Sequence, residues 1–130
     1  MSGTLVLDCE GLSKIVLRDR PMMARMAQAS IDGLRVVASA ATLVEARDPR
    51  MDQARFDWAI SHLVIEPVTE DVARAASKLL AAYRLHGHRH AIDAMVAATA
   101  LAADAPIILL TSDPEDLTTL CGDGVRTVKI

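Results

Sequence analysis

The stretch HAIDAMVAATALAADAPIILLTSD, residues 90–113, decides how this chain folds. Residues 91–103 are almost entirely apolar, which is typical of a helix buried on most of its sides. The run PIILL at 106–110 is continuous and apolar, as in a parallel strand that is covered on both faces. The stretch therefore predicts a buried helix that contains Asp93, then a central strand that is followed closely by Asp113.

On either side of this stretch, short apolar runs alternate with segments of helical periodicity. Strands are predicted at 4–7, 35–38, 63–65, 106–110 and 125–130. Helices are predicted at 12–17, 21–33, 41–46, 56–63, 69–87 and 91–103. Strands that alternate with helices favour an α/β fold with a mostly parallel sheet and helices on both faces. In such a sheet, sites form just beyond the carboxyl ends of the strands.

Length and composition are those of one folded domain. The chain has 130 residues, of which 52% are hydrophobic and 24% charged, unlike a disordered segment. Aromatic residues make up 2%, so base stacking on an aromatic platform is not expected as the main binding device. Two cysteines are too few for a disulfide framework or a cysteine-rich zinc site. We find no signal peptide or membrane-spanning run and expect a cytoplasmic protein with no membrane association.

Four acidic residues stand where the chain would otherwise be apolar or turning. They are Asp8 after the first strand, Glu45 in an apolar stretch, Asp93 in the most hydrophobic helix and Asp113 after the strand PIILL. Simpler interpretations exist for three of them. Asp8 and Asp113 are suited to capping helices, and Glu45 to the solvent side of a short helix.

Asp93 is harder to explain by local structure. Its neighbours on the helix are apolar, and a buried carboxylate without a partner costs several kcal/mol or stays protonated. Arg89 and His90, one helical turn earlier, are the structural alternatives as partners. The other solution is a bound divalent cation.

Convergence of the four acids would make a metal site. If the helices that carry Glu45 and Asp93 pack at the carboxyl edge of the sheet, all four carboxylates meet there. Such carboxylates repel one another unless a cation is present. Oxygen ligands with no paired His or Cys favour Mg²⁺ or Mn²⁺ over zinc, and such a site can support phosphodiester hydrolysis. The net charge of −3 would then be concentrated at this site, because the remaining 13 acidic residues are balanced by 14 basic ones.

The order of these motifs resembles that of PIN domains, and more closely that of the VapC toxins of bacterial type II toxin–antitoxin pairs. The motifs are TLVLDCEGLSK, ATLVEA, HAIDAMVAATAL and ILLTSDPEDL, at residues 4–14, 41–46, 90–101 and 108–117. The resemblance spans nearly the whole chain. It implies a single PIN domain over residues 1–130, folded as a PIN-like α/β/α sandwich.

The same resemblance implies a Mg²⁺- or Mn²⁺-dependent endoribonuclease that acts on RNA, forms a homodimer and is inhibited by a cognate antitoxin bound among its early helices. The family's acidic positions, expected to bind metal and catalyse, are matched by Asp8, Glu45, Asp93 and Asp113. Thr111 matches the polar residue that accompanies the fourth acid and orients a ligand or a bound water. Asp116 is a further, supporting carboxylate.

Two features leave alternatives open. The run HGHRH at 86–90 is predicted to be a solvated loop, from which Arg89, together with Arg84, could contact RNA phosphates. All four acids are present, but a non-catalytic PIN-like module that binds only RNA or an antitoxin remains the alternative function. Other α/β enzymes fit less well: a dehalogenase-type phosphatase needs Asp-x-Asp where this chain has Asp8-Cys9-Glu10, and a receiver domain leaves Asp93 unexplained.

Overall fold

A parallel sheet forms the centre of the molecule in the computed structural model, which describes residues 2–130. The strands are β1 (Thr4–Leu7), β2 (Arg35–Ser39), β3 (Val64–Glu66), β4 (Ile107–Thr111) and β5 (Arg126–Lys129). Their order across the sheet is β3-β2-β1-β4-β5. Every strand pairing among the described residues is parallel, so the carboxyl ends of all the strands lie at one edge.

Helices connect the strands and cover both faces of the sheet. They are α1 (Cys9–Val16), α2 (Arg20–Ile31), α3 (Ala40–Ala46), α4 (Gln53–Ser61), α5 (Glu70–Tyr83), α6 (Gly87–Leu101) and α7 (Pro114–Cys121). A 3₁₀ turn at Gly122–Gly124 precedes β5. Within residues 2–130, no helix combines the length and apolar character needed to cross a membrane.

The side chains of β1 alternate between two hydrophobic clusters, as a strand's period of two requires. Leu5 and Leu7 pack in a cluster with α1, α2 and α4. Val6 packs on the other face, with α6 and α7. A central strand buried on both faces confirms the predicted α/β/α sandwich, and the sheet is parallel throughout the described residues rather than mostly so.

The predicted loop at 86–90 is wrong, because helix α6 begins at Gly87. Helix α5 ends at Tyr83, earlier than predicted, since Arg84 adopts a left-handed conformation with φ of 54°. The His86 carbonyl then accepts the N–H of Arg89 at 3.1 Å and of His90 at 2.9 Å, which starts the next helix. The polarity of the run indicated solvation, and His86 and His88 are exposed; the backbone is nevertheless helical.

Candidate metal centre at the carboxyl edge of the sheet

Asp8 lies where β1 ends and α1 begins. Its Oδ1 atom accepts the N–H of Glu10 at 3.0 Å and of Gly11 at 3.1 Å, which fixes the carboxylate at the carboxyl edge of the sheet. Burial raises the pKa of Asp8, and the charge of Glu45 adds to this rise; the Thr111 hydroxyl and the two amides act in the opposite direction. Asp8 is therefore both a helix cap and a carboxylate that faces a second acid.

Thr111 ends β4, and Asp113 follows it by two residues at the same edge. Thr111 is 1% exposed, and its Oγ1 accepts the N–H of Asp113 at 3.1 Å. Asp113 stands at the N-cap position of α7, but among the described residues its side chain makes no capping hydrogen bond. Unlike the carboxylate of Asp8, that of Asp113 is not engaged by its own helix.

Asp93 is an acid whose pKa both burial and the neighbouring acids raise. It is half-buried on α6, with 37% of its side chain exposed. Burial raises its pKa, and the charges of Glu45, Asp116 and Asp113 raise it further; His90 opposes the rise. Carboxylates from α3 and from the start of α7 thus lie close enough to Asp93 to disfavour its ionised form.

Glu45 reaches this edge from α3. It is exposed and lines a cavity of about 340 Å³ together with Asp93, His88 and Arg89. Burial raises the pKa of the Cys9 thiol to about 12, and Glu45 contributes to that rise. The carboxylate of Glu45 therefore faces α1 as well as α6, as the predicted convergence requires.

His90, predicted only as an alternative charge partner of Asp93, lies between two helices at this edge. Its Nδ1 lies 3.5 Å from Oδ2 of Asp116 and 3.9 Å from Oδ2 of Asp93. These three ligand atoms all lie within 4.8 Å of one another. The i, i+3 spacing of His90 and Asp93 indicated their contact, whereas the sequence carried no signal for the approach of Asp116 to the same ring. The carboxylate of Asp116, predicted as a supporting acid, and that of Asp93 both lie close to Nδ1 of this histidine.

Of the two arginines predicted to contact RNA, Arg89 lies in the cavity beside the acids Glu45 and Asp93. Arg84 ends α5 and is not among the described residues that line this cavity. The alternative in which Arg89 neutralises Asp93 in a salt bridge is not formed among residues 2–130, where the cation facing Asp93 is His90 when protonated.

The donor set fits a divalent cation. Oxygen atoms predominate, as Mg²⁺ and Mn²⁺ prefer. The pKa values of Asp8 and Asp93 are raised by burial and by neighbouring negative charge, and a bound cation would relieve this repulsion. Among residues 2–130, the ligand atoms that lie within 4.8 Å of one another belong to Asp93, Asp116 and His90. Asp8 and Asp113 follow the neighbouring strands β1 and β4 at the carboxyl edge, where parallel sheets place their ligands.

The chain is similar to known proteins in sequence pattern and in fold. The PIN domain family model matches residues 6–118. The fold is similar to that of a chain in VapBC2 from Rickettsia felis, a complex bound to a DNA fragment from its promoter, with a TM-score of 0.74 and 13% identity over 100% of this chain and 99% of that chain. It is also similar to a chain of a toxin–antitoxin complex from Klebsiella pneumoniae, with a TM-score of 0.64 and 22% identity over 98% and 100%. No curated protein matches the sequence. At these identities, the two solved structures establish likeness of fold.

Proposed function

The chain belongs to the PIN domain family, and on this premise we propose that it is a divalent-metal-dependent endoribonuclease of the VapC type, the toxin of a toxin–antitoxin pair. PIN domains are generally nucleases, and the residues of this chain fit that chemistry. The observation that supports the proposal most is the raised pKa of Asp93, which results from burial and from the charges of Glu45, Asp116 and Asp113. Repulsion that no side chain in the cluster fully neutralises is what a cation-binding site requires.

The cation would be held by the four acids at 8, 45, 93 and 113, with Asp116 in support, and Mg²⁺ or Mn²⁺ suits these ligands. A divalent cation bound there would activate a water and stabilise the leaving oxygen of a phosphodiester. The chain itself supplies the positioning. Two backbone amides hold Asp8, and Thr111 holds the backbone of Asp113.

Arg89 is suited to bind the substrate. Its guanidinium is exposed beside Glu45 and Asp93, and arginine makes bidentate contacts with phosphate. We expect R89A to weaken RNA binding and to lower the slope of log affinity against log salt by about 1. The variant R84A is the matched control, because Arg84 lies outside the cavity. Equal RNA affinity of wild type and R89A would contradict this role.

A groove beside the same acids is suited to the antitoxin. It has a volume of about 1020 Å³ and runs between α1 and the segment from α3 to α4, with Glu45 at its border. Leu17, in its lining, is 68% exposed. A segment bound there would reach Glu45 and block the site. We expect L17D to weaken the complex with a co-expressed antitoxin in calorimetry, whereas I31D, at a position that is also exposed but lies outside the groove, should not.

Homodimer formation and a cytoplasmic location belong to the same proposal. They rest on the resemblance to VapC toxins. Light scattering of the purified chain at several concentrations tests the first, since a homodimer would have twice the mass of one chain. A monomer at all concentrations would remove the homodimer from the proposal.

Cleavage of RNA by the purified, antitoxin-free chain tests the proposed activity. Total RNA that includes tRNA is incubated with Mg²⁺, Mn²⁺ or EDTA, and D8A and D93N are assayed beside the wild type. We expect discrete fragments that EDTA abolishes and that both variants fail to produce. Absence of cleavage although metal binds would instead favour a PIN domain that serves for binding.

A further inference from the structure

We propose that His90 is a nitrogen ligand of the divalent cation, completing a set with Asp93 and Asp116 that makes the site favour Mn²⁺ over Mg²⁺. This inference rests on the proposed function, since it concerns the same metal centre. It adds a ligand of a different chemical class and predicts which metal is preferred. The four acids alone, all of them oxygen donors, give no such preference.

The separations of the three side chains exceed those of hydrogen bonds and are compatible with ligands of one cation. Nδ1 of His90 lies 3.5 Å from the Asp116 carboxylate and 3.9 Å from the Asp93 carboxylate. An N–H···O hydrogen bond would bring these atoms to about 2.7–3.2 Å. Ligands at about 2.1 Å from one octahedral cation lie roughly 3.0 Å apart when adjacent and 4.2 Å apart when opposite. Both observed separations fall within that span.

Two packed helices hold the three groups in place. His90 and Asp93 are one turn apart on α6, so that both side chains project from the same face. Asp116 comes from the first turn of α7, and α6 and α7 share the hydrophobic cluster of Val96 and Leu117. The ligand atoms therefore lie on rigid elements and need no loop to close around an ion.

Burial distinguishes His90 from the other histidines of the run. Only 12% of its side chain is exposed, whereas His86 and His88 are exposed. The His90 ring is turned toward the carboxylates of Asp93 and Asp116. Nδ1 is the ring nitrogen that faces the two carboxylates, and imidazole nitrogen is a common metal ligand.

The mixed donor set determines the metal preference. Imidazole nitrogen binds transition metals more strongly than it binds Mg²⁺, which prefers an octahedron of oxygen ligands and retains its waters. Mn²⁺ accepts oxygen ligands as Mg²⁺ does and lies on the transition-metal series. One nitrogen among several carboxylates therefore shifts the preference of the site from Mg²⁺ toward Mn²⁺.

Pulsed electron paramagnetic resonance of the Mn²⁺-loaded full chain tests the ligand directly. The method detects coupling between the Mn²⁺ electron spin and a coordinated nitrogen nucleus. The variant H90N places a carbonyl oxygen close to the position of Nδ1 and removes the nitrogen donor. The variant H86N is the matched control, because His86 precedes the helix and asparagine is a favoured N-cap residue.

We expect nitrogen coupling in the wild type and in H86N and its loss in H90N. We also expect Mn²⁺ affinity measured by calorimetry to fall about tenfold or more in H90N, with a smaller change for Mg²⁺. Bound Mn²⁺ without nitrogen coupling in the wild type would overturn the His90 ligand and leave the carboxylate centre standing. Absence of any bound Mn²⁺ or Mg²⁺ would overturn this inference and the proposed metal-dependent function together.

Discussion

The polar side chains at the two ends of β1 differ in charge and in hydrogen bonding. At the amino end, Thr4 is 1% exposed and its hydroxyl donates to the Asp104 carbonyl at 2.8 Å. At the carboxyl end, burial and the charge of Glu45 raise the pKa of Asp8. The polar group at the amino end is neutral and hydrogen-bonded, whereas negatively charged groups lie near one another at the carboxyl end. A buried polar group that is satisfied serves the fold, whereas repulsion retained at one edge is typical of a functional site.

The largest expected effect is a loss of RNA cleavage, without a loss of stability, when Glu45 at the carboxyl edge is replaced. We expect E45Q to lower RNA cleavage by more than about 100-fold, because it removes a ligand charge from the centre. Since Glu45 is exposed, the free energy of unfolding should stay within about 0.5 kcal/mol of wild type. Gel-based cleavage rates and urea titrations measure the two quantities. Wild-type cleavage by a folded E45Q would remove Glu45 from the site.

A second pair of variants tests whether position, rather than charge alone, defines the acidic edge. The carboxylate of Asp116 lies 3.5 Å from Nδ1 of His90, whereas the adjacent Glu115 is exposed in the first turn of α7. We expect D116N to weaken Mn²⁺ binding about 10- to 100-fold and E115Q to leave it close to wild type. Calorimetric titration of both variants decides. Equal losses would mean that the edge attracts cations only through its overall charge.

At the amino end, substitution should affect the fold alone. T4V keeps the shape of the side chain but removes the hydrogen bond to Asp104, and we expect a loss of about 1 kcal/mol in the free energy of unfolding. Mn²⁺ affinity should not change. T119V is the control, because its hydroxyl donates to the Glu115 carbonyl at an exposed position. A change of metal affinity in T4V would break the contrast between the two ends.

The smallest expected effect is a pH dependence that comes from the acidic edge. Because the pKa of Asp93 is raised in the folded chain, the folded state binds more protons than the unfolded state above about pH 4. In metal-free protein, the contribution of Asp93 therefore lowers the free energy of unfolding as pH rises through that window. The decline should be shallower in D93N. Denaturant titrations across this range check the difference, and parallel curves for the two proteins would contradict it.

The sequence predicted the fold because its strongest signals are local. The run PIILL lies at β4, and the apolar segment around Asp93 lies in α6, as periodicity and burial require. The histidine run was mispredicted because its polar composition indicates solvation but does not fix the backbone. Its helical start depends on the left-handed Arg84 that ends α5, and arginine carries no sequence signal for that conformation.

The candidate site was predictable to the extent that topology determines it. Asp8 and Asp113 follow neighbouring parallel strands, so their common edge follows from the fold. That Asp113 leaves its own helix uncapped, whereas Asp8 caps α1, depends on local backbone geometry. The approach of His90 to Asp116 depends on how α6 packs against α7, which periodicity does not specify.

Thermal unfolding with and without divalent metal tests the central claim most directly, namely that the carboxyl edge of the sheet is a cation site. The wild type is melted across a series of Mn²⁺ and Mg²⁺ concentrations, with D93N beside it. We predict that Tm of the wild type rises with metal concentration, by an amount that corresponds to about 2.7 kcal/mol at 100 times Kd, and that D93N loses most of this rise. An unchanged Tm of the wild type at saturating concentrations of both metals, or an equal rise in D93N, would contradict the claim.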